Sequence, residues 1–113
     1  MKIFDTDCEV ITSKTGRELT EIYEGVAGKQ TVGLATRWPP KIYVANDRDS
    51  DYRASTWLHE IIEQIKMECG LKIGEKTILK LEQGIFDAYK SVDHNLPDPA
   101  EYCRGEVLEM EWD

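Results

Sequence analysis

The sequence lacks long runs of apolar residues and has few basic side chains. No stretch approaches the roughly 20 apolar residues that a membrane-spanning helix needs, and the N-terminal MKIFDTDCEV is too polar for a signal peptide. The 113 residues include 14 basic and 22 acidic side chains, which gives a net charge of -8. Because nucleic-acid binding relies on clustered lysine and arginine, direct nucleic-acid binding is not expected. These absences predict a cytoplasmic protein that does not enter a membrane.

Cysteine is also scarce, and the three residues, Cys8, Cys69 and Cys103, are widely spaced. No Cys-x-x-Cys motif occurs, so neither a disulfide framework nor a thiolate zinc site is indicated. Reduced thiols agree with a cytoplasmic location. With 41% hydrophobic residues, the chain is long enough for one folded domain. We place this domain at residues 1–91, and residues 92–113 form an acidic, proline-containing C-terminal extension.

The hydrophobic pattern changes near residue 50, and this change predicts an α+β fold. Before it, short segments rich in β-branched residues predict strands at 2–4, 8–12, 30–36 and 41–44, whereas 18–25 fits either a helix or a strand. The last two strands flank Arg-Trp-Pro-Pro, which predicts a hairpin-like pair. After it, the apolar spacing predicts helices at about 51–69 and 75–90, joined by a short connection. The expected architecture is a small antiparallel sheet packed on a two-helix hairpin.

The first predicted helix carries His59, Glu60 and Glu63. Its apolar stripe is centred near Leu58, and the three polar residues lie on a flank where a cleft between helix and sheet would open. His59 and Glu63 are four residues apart and therefore point the same way from successive turns, as chelation of one ion requires. Zinc accepts both ligand types, and Glu60 would be the base for a bound water. The alternative is an ordinary solvated hydrogen bond between His59 and Glu63.

The second predicted helix carries a glutamate, Glu82, within its apolar face. An unpaired buried carboxylate is costly, so this side chain needs a cation, a hydrogen-bond cluster or a metal. Packing of the two helices would bring Glu82 to His59 and Glu63 as a third ligand. The alternatives are that Glu82 reaches solvent at the rim or pairs with Lys66. Gly84, in the middle of this helix, predicts close helix packing, because a mid-helix glycine costs about 1 kcal/mol relative to alanine.

Residues 57–90, WLHEIIEQIKMECGLKIGEKTILKLEQGIFDAYK, resemble the helical hairpin of minimal gluzincins, small metallopeptidases encoded by phages and prophages. In that family Leu-His-Glu-Ile precedes an apolar turn, and a second helix carries a pattern like Leu-Glu-x-Gly-Leu-Tyr. The second pattern is matched here by Leu81, Glu82, Gly84, Ile85 and Phe86. The preceding GLATRWPPKIYV is similar to the family's strand pair, so the resemblance covers roughly residues 31–90. It implies a zinc site with His59 and Glu82 as ligands and Glu60 as general base.

The chain departs from the family at Glu63, which stands where a second histidine is expected. An additional carboxylate lowers the Lewis acidity of zinc and favours harder ions. The predicted metal ligands are therefore His59, Glu63 and Glu82, and the cofactor is Zn2+, with another divalent metal or none as alternatives.

Two functions are consistent with these residues. The first is metal-dependent cleavage of a peptide or protein substrate, in which residues 41–44 pair with the extended substrate. The second is that of a non-catalytic acidic phage protein on the same fold, which binds and inhibits a host or defence protein by occupying a basic site. If the protein is phage-encoded, either function would be exerted in the cytoplasm of the host cell.

Overall fold

The computed structural model describes residues 1–22, 31–92 and 97–103, and it has an α+β fold, as predicted. The chain begins with three short strands, β1 (Lys2–Ile3), β2 (Thr6–Asp7) and β3 (Glu9–Ile11), followed by helix α1 (Gly16–Ile22). Strands β4 (Gly33–Arg37) and β5 (Pro40–Val44) then precede two long helices, α2 (Ser50–Cys69) and α3 (Glu75–Val92). The stretch that fitted either structure is helical as far as Ile22, and residues 23–30 lie outside the described part.

β5 is the central strand of a three-stranded sheet with the order β3-β5-β4. β4 and β5 pair in the antiparallel direction, as the Trp-Pro-Pro turn predicts, and Gly33 lies opposite Val44. β3 runs parallel to β5, so the sheet is mixed, and a separate antiparallel pair is formed by β1 and β2. Because β5 is hydrogen-bonded on both sides, the prediction that residues 41–44 pair with a substrate is wrong.

The core lies between this sheet and α2. Ile42 and Val44 are buried on β5 and alternate with the partly exposed Lys41 and Tyr43, as the two-residue period of a strand requires. The buried cluster comprises Ile3, Cys8, Ile42, Val44 and Trp57. Its last member belongs to α2, and this helix therefore contributes a large aromatic side chain to the centre of the domain.

The bounds of α2, Ser50–Cys69, agree with the predicted 51–69 to within one residue, and each end has a local capping group. The Asp49 side chain caps its first turn by accepting a hydrogen bond of 2.9 Å from the backbone N–H of Tyr52. Gly70 follows the last turn with φ of 62°, a left-handed conformation that glycine adopts without the steric cost of a Cβ atom. Both ends of the helix that carries the predicted site are thus determined by local chemistry.

α2 contacts β4 and β5, while α3 packs against α2. Glu75 at the start of α3 lies beside His59, and Lys90 near its end lies 3.2 Å from Asp51, so the two helices run antiparallel. The close packing predicted at Gly84 is wrong: a Cβ built at this position would meet no atom of the described residues within 4 Å. Gly84 lies on the exposed side of α3, away from α2.

Residues 97–103 lie against α2. The guanidinium of Arg53 forms an ion pair of 2.6 Å with Asp98, and the rings of Trp57 and Tyr102 have centroids 5.6 Å apart. This part of the C-terminal extension is therefore packed on the domain, and residues 104–113 lie outside the described part. Within residues 1–22, 31–92 and 97–103, no helix has both the length and the apolarity that crossing a membrane requires.

Candidate metal centre

His59 lies at the centre of a carboxylate cluster between α2 and α3. Its Nδ1 atom is 2.9 Å from Oε2 of Glu82. Its Nε2 atom is 3.1 Å from Oε1 of Glu75 and 3.8 Å from Oε1 of Glu63. The two nitrogens of one imidazole thus face different carboxylates, and this division assigns different chemistry to the two sides of the ring.

Glu82 lies where its helical phase predicts, mostly buried and in contact with His59. It faces Nδ1, however, whereas Glu63 faces Nε2. The donor atoms that lie together, within 4.8 Å of one another, belong to His59, Glu63 and Glu75. The ligand role of Glu82 stays a prediction, and the arrangement in the structure favours Glu75 in its place.

Glu75 is the residue of the cluster that the sequence analysis missed, although a signal was present. It precedes Glu82 by seven residues, so both glutamates lie on the same face of α3, about 20° apart around the helix axis. Glu75 also lies in the first turn of α3, where acidic residues interact favourably with the helix dipole. The contact with His59 depends on where the first turn of α3 meets α2, which the sequence does not show.

A hydrogen bond from α2 holds Glu82 in place. The hydroxyl of Ser55 donates to Oε1 of Glu82 at 2.5 Å, while Oε2 of the same carboxylate faces Nδ1 of His59. When the neutral imidazole donates its Nδ1–H to Glu82, the lone pair is left on Nε2, toward Glu63 and Glu75. A metal-binding histidine is commonly oriented in this way by a carboxylate on its other nitrogen.

Glu60 is buried, with 8% of its surface exposed. The prediction that it faces an open cleft therefore needs correction, since its side chain lies against Gly33 of β4. Within the described residues its carboxyl group has no hydrogen bond or ion pair. The pKa of Glu60 is raised from 4.5 to about 7, chiefly by burial and also by the charges of the neighbouring glutamates, while the charge of His59 opposes the shift.

The pKa values of His59 and Glu63 are also displaced. Burial alone would lower the pKa of His59, but the hydrogen bond to Glu82 and the charge of Glu60 raise it above its ordinary value. The pKa of Glu63 is raised by burial and by its hydrogen bond and proximity to Glu75. Burial and the surrounding negative charge both contribute to these shifts, and the concentration of negative charge favours a cation at this position.

Comparisons of the chain with models of known protein families, with curated proteins and with solved structures find no match.

Proposed function

We propose that the protein is a metal-dependent peptidase resembling minimal gluzincins, with the cation held by His59, Glu63 and Glu75. The observation that carries the proposal is the division of the His59 ring, with Glu82 at Nδ1 and the other two carboxylates at Nε2. An imidazole fixed at one nitrogen and facing oxygen ligands at the other has the arrangement of a metal ligand with its orienting partner.

The donor set fits a divalent cation. One imidazole nitrogen and two carboxylate oxygens are three protein ligands, the number commonly found in catalytic zinc sites that keep a position for water. Two carboxylates beside one histidine also suit harder ions such as Mn2+. Glu75 is well exposed, at 62% of its side-chain surface, so the site is open to solvent on the side of α3. We therefore propose a divalent cation with Zn2+ and Mn2+ as the two ions to test.

His59, Glu63 and Glu75 would hold a divalent cation, which would supply Lewis-acid polarisation of water and of the peptide carbonyl. Glu60 takes a proton from the attacking water, a role that suits a carboxyl group whose pKa is raised to about 7 by burial. Glu82 and Ser55 keep His59 in its orientation. Every protein side chain in this proposal belongs to α2 or α3, so the packing of the two helices would assemble the site.

The edge of the sheet suggests how a peptide would bind. Among the strands that the structure describes, β4 pairs only with β5, and its outer edge has no strand beside it. An extended peptide adds to such an edge through main-chain hydrogen bonds. Because Glu60 lies against Gly33 at the start of β4, a peptide on this edge would pass close to the proposed base.

Metal analysis and a cleavage assay test the proposal together. The protein would be purified without chelator, its metal content measured, and cleavage of fluorescein-labelled casein followed with Zn2+ or Mn2+ added. We expect about one cation per chain and metal-dependent cleavage that Glu60→Gln lowers on the order of 10²-fold. A chain that binds neither ion and cleaves nothing would contradict the proposal, and a binding protein on this fold would then be the better interpretation.

A further inference from the structure

Gly33 lies against the side chains of Thr56 and Glu60 on α2. A Cβ atom built on Gly33 would be 3.1 Å from Cγ and 3.2 Å from Oε1 of Glu60. The same atom would be 2.6 Å from Cγ2 of Thr56, closer than real Cβ atoms come to other atoms. The absence of a side chain at Gly33 therefore leaves room for two side chains of the facing helix.

The backbone conformation does not explain this glycine. The φ angle of Gly33 lies outside the left-handed region, so other residues would adopt the same backbone conformation. Glycine weakens the interior of a strand, and in strands it often marks a place where another group approaches closely. Here the approaching group is the helix that carries the proposed base.

The position of Gly33 is fixed by the sheet. It lies opposite Val44 in the antiparallel pair of β4 and β5, and the N–H of Ala45 donates to the carbonyl of Val32 at 2.8 Å. A side chain at residue 33 would thus displace Thr56 or Glu60 more readily than it would displace the strand. Of these, Glu60 is buried and has no hydrogen bond within the described residues, so its contact with the backbone of β4 is one determinant of where its carboxyl group lies.

We infer that Gly33 is a positioning residue, which holds the Glu60 carboxyl group in place by letting it lie directly against the backbone of β4. Only the expected effect on catalysis rests on the proposed function, in which Glu60 is the general base. Its structural content, that residue 33 determines the position of the Glu60 side chain, holds for the protein with or without hydrolytic activity.

The experiment compares Gly33→Ala, Thr56→Ser and the double variant. Thr56→Ser removes the Cγ2 atom that Gly33→Ala would strike, so the double variant relieves this clash and keeps the contact with Glu60. Gly84→Ala is the matched control, because a Cβ there meets nothing within 4 Å. Each variant is measured by urea denaturation and by the ¹³C NMR signal of the Glu60 carboxyl group, which is assigned by its loss in Glu60→Gln.

We expect Gly33→Ala to lower stability and shift the Glu60 signal, and the double variant to recover much of the stability while the signal stays displaced. In the casein assay, the double variant should lose kcat on the order of 10²-fold at little change in KM, with its affinity for Zn2+ or Mn2+ within about twofold of wild type. Should Gly33→Ala fail to fold, the double variant still gives both readouts.

Two results would overturn the inference, the first its structural content and the second its catalytic consequence. One is a Glu60 signal in the double variant that matches Thr56→Ser alone, which would show that Gly33 makes room only for Thr56. The other is normal casein cleavage by a double variant whose Glu60 signal is displaced. If wild type cleaves no casein, the proposed function fails separately, while the NMR comparison still decides whether Gly33 positions Glu60.

Discussion

His59 and Glu82 meet through the Nδ1 nitrogen at 2.9 Å, on the opposite side of the ring from the nitrogen that faces Glu63 and Glu75. This contact joins α2 to α3 at the centre of the cluster. In the proposed site it also separates two roles that would both fall to glutamates, binding a cation and orienting the imidazole that binds it.

Glu75→Gln and Glu82→Gln should therefore have different effects on metal binding. Loss of Glu75 removes a proposed ligand, so the visible spectrum of the Co2+-loaded protein should change along with the affinity. Loss of Glu82 should weaken binding by about 10- to 100-fold, as for other orienting partners, and leave the Co2+ spectrum close to wild type. Isothermal titration calorimetry and absorption spectroscopy measure the two effects. A changed spectrum for Glu82→Gln with an unchanged one for Glu75→Gln would reverse the assignment.

The stability of the metal-free protein should fall as the pH rises from about 4.5 through 7. Burial raises the folded-state pKa of Glu60 from 4.5 to about 7, so between these values the folded state binds more protons than the unfolded state. The stabilisation from protonated Glu60 is complete below pH 4.5 and is lost as the pH rises through about 7. Its size is at most roughly 3 kcal/mol. The raised pKa of His59 acts in the same direction.

Glu60→Gln should remove much of this dependence and make the protein more stable than wild type at pH 8. Urea denaturation of both proteins between about pH 4.5 and 8 measures this pH dependence of the free energy of unfolding. Glu21→Gln is the control, because Glu21 is exposed and its change should stay within about 0.5 kcal/mol. Equal slopes for Glu60→Gln and wild type would contradict the prediction.

Gln64→Met should stabilise the protein by about 1 to 3 kcal/mol. Gln64 is only 1% exposed on α2, and neither the nitrogen nor the oxygen of its amide has a hydrogen-bond partner among the described residues. Methionine has a similar shape and leaves no polar group unsatisfied. The exposed Gln83, which donates to Asp87, provides the control substitution Gln83→Met, for which no gain is expected. A clear loss of stability in Gln64→Met would indicate that the amide binds an ordered water.

Gly84→Ala should raise the free energy of unfolding by about 1 kcal/mol, because it replaces a mid-helix glycine where no atom would obstruct the methyl group. For a domain of this size the increase corresponds to roughly 4 °C in Tm. Gly70→Ala should lower the free energy of unfolding, because residue 70 has a left-handed φ of 62° that alanine adopts only with strain. Calorimetry measures the Tm of both variants. A lower Tm for Gly84→Ala would show that a partner or another segment of the chain occupies the space beside Gly84.

The features predicted correctly from the sequence depend on neighbouring residues. The ends of α2 follow from a capping aspartate and a left-handed glycine, and the β4–β5 pair follows from the prolines between its strands. The parallel direction of β3 was not predictable in this way, because strand pattern does not encode the direction of a distant partner. The helical phase of Glu82 placed it at His59, since that face of α3 packs against α2.

The wrong prediction for Glu60 and the missed contact of Glu75 both arise because α2 is covered on two sides. α2 lies between the sheet and α3, so Glu60 and Gln64 are more buried than Leu58, around which the apolar stripe is centred. Hydrophobic periodicity assumes one buried face, and it therefore assigned Glu60 to an open cleft. Glu75 was missed for a related reason, because its contact depends on the axial position of α3 along α2 and not on its helical phase alone.

The attachment of α3 has a consequence for its local stability. Ile78 is its only fully buried side chain within the described residues, and two of its glutamates, Glu75 and Glu82, contact the imidazole of His59 on α2. Without a cation, the crowding of carboxylates opposes the docking of this helix, and a bound cation would remove that opposition. Binding of a cation to the His59 cluster and docking of α3 on α2 would then be coupled. The amide hydrogens of α3 would exchange with solvent more slowly as the ion concentration rises.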